Sequence, residues 1–129
     1  MIEFSAYPNF TEDEMRCRCG CGRADMDPQF MRTLERIRDG FGRPLKITSG
    51  FRCPEYDARP FVGGAGVHPT GRAGDIGIWG EDVFHLLALV YADGTITGIG
   101  QKQHGPHAGR FIHLDTTHGP LRPRIWTYP

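Results

Sequence analysis

Only two stretches of this 129-residue chain have the spacing of a substantial helix; its 18 glycines and 10 prolines cut the other apolar residues into short runs. The first helix is signalled by Asp27-Pro28, an N-cap followed by proline at the first helical position. Phe30, Met31, Leu34, Ile37 and Phe41 then recur at helical spacing, with Arg32, Glu35, Arg36 and Asp39 on the other face and Gly40 and Gly42 as the stop. The second runs from Glu81 to Tyr91. A shorter one starts at Thr11-Glu12-Asp13-Glu14, a capping box with Phe10 placed as a staple. Strands are expected at Leu45–Ser49, Asp75–Ile78, Thr95–Ile99, Arg110–Thr116 and Arg124–Tyr128. Pro54 to Gly74 and Gln101 to Gly109 are left as loops, and long loops in compact chains tend to carry function. Strands and helices do not alternate as crossover units do. The pattern predicts one α+β domain over residues 1–129, with a mainly antiparallel sheet flanked by helices.

Charge narrows the partners. The chain has 15 basic and 15 acidic side chains, so neither nucleic acid nor an anionic membrane is indicated. The longest apolar stretch, Val83 to Ala92, is about half the length a bilayer requires, and it is interrupted by His85. Met1 to Phe10 lacks the basic start and apolar centre of a secretory signal, which predicts cytoplasmic synthesis, and a monomer is expected. Action outside the membrane would then need a separate route of release. Cys17, Cys19 and Cys21 alternate, and Cys53 lies far downstream. This departs from the paired C-x-x-C spacing of structural zinc sites. Reduced thiols, a disulfide to Cys53 and a second metal all remain open.

Two segments carry chemistry. In His68-Pro69-Thr70-Gly71-Arg72-Ala73-Gly74-Asp75, glycines 71 and 74 allow tight turning between an imidazole and a carboxylate. Ile76 and Ile78 share one strand face, so Asp75 takes the other. In Phe111-Ile112-His113-Leu114-Asp115, the residues Ile112 and Leu114 form an apolar back, while Phe111, His113 and Asp115 share the opposite face. Two imidazoles and one carboxylate form a three-donor set that leaves a fourth tetrahedral position open to water, as catalytic zinc sites do. Zinc in such a site activates water and polarises a carbonyl, and nitrogen and oxygen donors suit it.

The spacing H-x-x-G-x-A-x-D, here His68, Gly71, Ala73 and Asp75, resembles the signature of the zinc D-Ala-D-Ala carboxypeptidase and murein endopeptidase family, whose fold is shared with the hedgehog signalling domain. Ile47-Thr48-Ser49-Gly50-Phe51-Arg52-Cys53-Pro54 is similar to the family's strand and arginine turn, and Gly63-Gly64-Ala65 to its glycine-rich approach to the first ligand. Phe111 to Asp115 resembles the segment with the third ligand, Trp126 and Tyr128 resemble the closing strand, and the Cys-Gly-Cys-Gly run resembles that of small one-domain members. The resemblance implies a Zn2+ site of His68, Asp75 and His113. It implies that Arg52 stabilises an oxyanion or holds a peptide carboxylate. It also implies peptidoglycan stem peptides or cross-links containing D-amino acids as substrates; with no secretory signal or wall-binding module in the sequence, an endolysin-like setting of phage or prophage lysis is expected.

One part of the pattern is missing. Relatives carry a Glu three residues before the third ligand or a His two before it, where this chain has Arg110 and Phe111. Asp115 is the first replacement, as general base or as a group orienting an imidazole, followed by His107 and His104 and then Glu81. The same gap leaves open a non-catalytic zinc-containing binding module of this fold.

Overall fold

A computed structural model describes residues 2–58 and 66–129. The Gly63-Gly64-Ala65 stretch lies outside the described residues. Helix α1 (Glu12–Met15) begins with the expected capping box: Thr11 Oγ1 accepts from the Glu14 N–H at 3.2 Å, and Glu14 Oε1 accepts from the Thr11 N–H at 3.0 Å. Helix α2 (Pro28–Phe41) is capped by Asp27, whose carboxylate accepts from the Phe30 N–H at 3.0 Å, and ends at Gly42 with φ 76°. Phe30, Met31, Leu34 and Ile37 are buried as the helical stripe requires. Helix α2 packs on α4 (Glu81–Asp93). They pack tightly at Gly40, where a Cβ would come within 2.8 Å of Leu89.

Strands β1 (Lys46–Ser49), β2 (Ala73–Gly77), β3 (Gly98–Lys102), β4 (Phe111–Asp115) and β5 (Arg124–Thr127) form a five-stranded sheet in the order β1-β2-β4-β3-β5. All pairings are antiparallel except β3 with β5, so the α+β, mainly antiparallel expectation holds. Ile47, Ile76, Ile99, Ile112 and Leu114 share one core with the apolar residues of α2 and α4. No helix among the described residues is long and apolar enough to cross a membrane.

Several boundaries move. The long loop expected over Pro54 to Gly74 contains α3 (Pro54–Ala58) and a 3-10 turn at His68–Thr70, and β2 already starts at Ala73. Helix α3 opens on proline with Glu55 and Asp57 in its first turn, both favourable at a helix start, and the glycine and proline density downstream masks that signal. The third strand starts at Gly98 rather than Thr95. Side-chain propensity favours Thr95-Ile96-Thr97, but space on the sheet decides. A Cβ at Gly98 would overlap the Asp115 carboxylate, and one at Gly100 would lie 2.7 Å from the Trp126 ring.

Of glycines 71 and 74, only Gly71 makes a turn. It has φ 75°, and a Cβ there would overlap the Asp25 carbonyl oxygen and sit 2.9 Å from the Asp27 nitrogen. Gly74 instead lies within β2, where a Cβ would meet the Phe30 ring at an ordinary contact distance of 3.5 Å. Gly71→Ala is therefore expected to cost about 2 kcal/mol or more, from left-handed strain plus the backbone clash. Urea unfolding checks this: a change below about 0.5 kcal/mol would contradict it.

Candidate metal centre

The sheet register builds the site. On the face opposite the core, Ser49 of β1 pairs with Asp75 of β2, Asp75 with His113 of β4, His113 with Gly100 of β3, and Gly100 with Trp126 of β5. A second row sets Ala73, Asp115, Gly98 and Arg124 side by side. The glycines of β3 thus clear room above the strand, and larger side chains from both sides lean into it.

His68 enters from the 3-10 turn before β2. Its Nε2 lies 3.4 Å from Asp75 Oδ1, and His113 Nδ1 lies 2.9 Å from the same oxygen. All three side chains are buried, with residue exposures of 5%, 5% and 2% for His68, Asp75 and His113. The far nitrogen of each ring is also held. His68 Nδ1 is 2.7 Å from the Gly50 carbonyl oxygen, and His113 Nε2 is 2.8 Å from Asp115 Oδ2. A carbonyl only accepts, so His68 carries its proton on Nδ1 and turns the Nε2 lone pair toward Asp75. The same arrangement at His113, with Nε2–H donated to Asp115, turns Nδ1 inward. Three electron pairs then converge on one point, and a cation is what such a point requires.

The spacing fits zinc. Bonds of 2.0–2.1 Å in a tetrahedron place donors about 3.3 Å apart; His68 stands at 3.4 Å from Asp75, His113 at a closer 2.9 Å, and all three donors lie within 4.8 Å of one another. Each ring is oriented from behind by a carbonyl or a carboxylate, as metal-bound histidines generally are. The buried charges of the cluster interact strongly with one another. Burial pushes the Asp75 carboxyl up, but His113 and His68 outweigh it and hold the group well below the usual carboxylate range. Burial lowers the His113 imidazole, yet Asp115 and Asp75 on its two nitrogens raise it overall.

The triad floors an open cleft of about 1180 Å³ whose described lining includes Arg52, Asp57, Phe111, Trp126 and Tyr128, with Arg18, Lys102, Arg122 and Arg124 as further cations. Arg52 lines it while tied on three sides: Nε to Ser49 Oγ at 2.8 Å, Nη1 to Asp57 Oδ1 at 3.1 Å and Nη2 to Asp75 Oδ2 at 3.2 Å. It therefore fixes the second oxygen of Asp75. Two of its five N–H groups are not used in these bonds.

Asp115 sits directly behind the triad. It is fully buried and accepts from His113, from the Thr117 N–H and hydroxyl at 3.2 and 2.8 Å, and from Arg122 Nε and Nη2, each at 2.9 Å. A carboxylate so engaged orients His113; it has no free lone pair directed at the cleft for proton transfer. His107 does not join the cleft. It is exposed, and its ring stacks on Trp79 at 5.1 Å between centroids. His104 is also exposed and reaches the Tyr128 carbonyl, and Glu81 opens α4 on the surface.

Sequence reasoning missed Asp57 and Arg122. Asp57 is 1% exposed and anchors both Arg52 and the Gly66 N–H, but its segment reads as loop. Arg122 follows the last expected ligand in a stretch without periodicity, and no local pattern marks it. The four cysteines, left open above, also converge: their sulfurs lie within 4.8 Å of one another, and no disulfide joins them.

No curated protein and no solved structure matches the chain. The profile of one family does, described as Peptidase M15, over residues 8–115, which reach from the N-terminal turn to Asp115 at the end of β4. That range takes in all three donors of the buried His-Asp-His cluster, and by it the chain belongs to the Peptidase M15 family of zinc metallopeptidases.

Proposed function

We propose that this enzyme hydrolyses D-amino-acid-containing peptide bonds of bacterial peptidoglycan, with His68, Asp75 and His113 as its zinc ligands. One observation carries the choice of substrate. The metal triad lies in a cleft that combines Arg18, Arg52, Lys102, Arg122 and Arg124 with the rings of Phe111, Trp126 and Tyr128. Peptidoglycan stems carry free carboxylates at close intervals, and fixed cations near the reacting bond recognise such groups. Zinc, when bound, supplies Lewis acidity toward a peptide carbonyl and toward water.

The chain's own residues do the rest. His68 and His113 present unprotonated nitrogens because Gly50 and Asp115 hold their other ring positions. Arg52 keeps Asp75 from rotating and directs its remaining N–H groups at the developing oxyanion or the substrate carboxylate. Tyr128, its phenol pushed above the ordinary range by burial, stays a proton-bearing donor on the cleft wall. Phage or prophage lysis is the setting we infer for this activity.

The test is hydrolysis of purified peptidoglycan and of synthetic D,D- and L,D-stem peptides by zinc-loaded protein. New amine ends or free D-alanine are expected, and their absence on every substrate would remove the reading. Arg52→Lys keeps the charge but loses the fork, and should lower kcat/KM about 10²-fold at unchanged zinc content. An Arg52→Lys enzyme with wild-type kcat/KM would reduce Arg52 to a structural ion pair.

A further inference from the structure

We propose that Cys17, Cys19, Cys21 and Cys53 bind a second zinc ion, structural in role and separate from the triad. The sulfur of Cys17 lies 3.4 Å from that of Cys19 and 3.7 Å from that of Cys53, and Cys19 and Cys53 are 3.6 Å apart. Three nearly equal edges form one face of a tetrahedron. Around an ion with bonds of 2.3 Å to sulfur, that edge is about 3.8 Å. Cys21 completes the set within 4.8 Å. A disulfide would draw two of the sulfurs together, whereas here none is paired and those of Cys17, Cys19 and Cys53 are nearly equidistant.

The backbone is arranged for thiolates. The Cys53 N–H points at Cys17 Sγ at 3.3 Å and the Cys21 N–H at Cys19 Sγ at 3.4 Å, donors that stabilise negative sulfur. Gly20 and Gly22 have φ of 91° and 80° with no atom near their absent Cβ, so they serve the path of the chain rather than packing. That path brings alternate cysteines to one side. The loop is closed by the Cys17 N–H on the Arg23 carbonyl oxygen at 2.8 Å. A tetrathiolate zinc centre carries two net negative charges, and Arg23, held over the Phe51 ring, lies beside it. All-sulfur, four-coordinate geometry leaves no open position for a substrate, which makes the site structural.

Its place in the fold gives it a task. Cys53 directly follows Arg52, and the Phe51 N–H donates to the Met15 carbonyl oxygen at 2.9 Å. The Gly50 backbone is pressed against Met15, where a Cβ would lie 2.8 Å from its Cα. A metal joining Cys53 to Cys17, Cys19 and Cys21 clamps the turn that carries Arg52 and the Gly50 carbonyl from behind.

Zinc per chain, measured by elemental analysis on the full-length protein, tests this. We expect two equivalents in the wild type, one in the Cys19→Ser/Cys21→Ser variant and one in His113→Ala. Both substituted cysteines are exposed, so the double variant opens no core cavity. Cobalt loading provides a readout on unmutated protein. Thiolate-to-cobalt charge transfer should appear in the wild type and in His113→Ala and be lost with the cysteines, so failure at the triad and failure here give different signatures. Cobalt-loaded wild type without thiolate charge transfer, zinc content unaffected by the double substitution, fewer than four titratable thiols in denatured protein, or iron in place of zinc would each overturn the proposal.

Discussion

His113→Ala is expected to strip the triad of its metal and to reduce peptide hydrolysis to background. His113 is the central member of the cluster: its Nδ1 meets Asp75 and its Nε2 meets Asp115. Alanine removes one inward electron pair and leaves two donors, too few to hold zinc against chelation at neutral pH. It also leaves Asp75 and Asp115 facing each other across a buried void, both charged and without the imidazole that lay between them. A loss of several kcal/mol of stability follows for the metal-free fold, on the order of 3–5 kcal/mol for breaking a buried ion pair. Zinc analysis after dialysis against a weak chelator, together with circular dichroism, separates the two effects. If a folded variant retains the equivalent assigned to this site, His113 is not a ligand.

Asp115→Asn is expected to be nearly as severe, although this residue lies behind the metal. Its two oxygens accept from an imidazole, a backbone amide, a hydroxyl and both arms of Arg122. Asparagine offers one oxygen and one donor group, so either the arginine fork or the His113 contact must break. Loss of the contact frees the ring and its tautomer, and metal affinity should fall about 10- to 100-fold. The sign of the pH effect follows from the carboxyl. Burial raises Asp115, but His113 and Arg122 overcome it and hold the group well below its ordinary value. A depressed folded-state pKa contributes stability above the unfolded value, about pH 3.9, and that contribution fades as pH falls below it. The wild type should thus lose stability steeply on acidification from about pH 4, and Asp115→Asn should show a shallower slope, with Asp75 still contributing. Urea titrations at a series of pH values give both slopes; equal slopes would mean that Asp115 is not held ionised by these partners.

The triad was legible because two regularities overlap at it. A fixed spacing joins His68 to Asp75, and strand alternation puts Ile112 and Leu114 on one face and His113 on the other, where the sheet has them. Short-range patterns of this kind survive folding unchanged. What escaped depends on contacts between distant segments. Asp115 has the same face as His113 in sequence, a placement that suits a base as well as an orienter. Only the fork of Arg122, arriving from the loop before β5, decides between them. Asp57 gained its role because a proline-led turn of helix formed inside a stretch dense in glycine and proline. The third strand moved from a β-branched run onto Gly98-Ile99-Gly100 because neighbouring strands need the room. Cys53 was widely separated from its partners by chain position, and only tertiary packing returns it to them.

The row of Ser49, Asp75, His113, Gly100 and Trp126 has a consequence for insertion and deletion. Each strand that bears a ligand also bears core residues at the intervening positions, so one hydrogen-bond ladder sets both faces. Removing a single residue from within β2 or β4 would not shift the metal donors by one place; it would exchange them with isoleucine and leucine. No register preserves the hydrophobic interior while losing only the catalytic face. Length variation in this lineage should therefore collect in connectors such as Gln103–Arg110, and the strands themselves should vary by substitution alone.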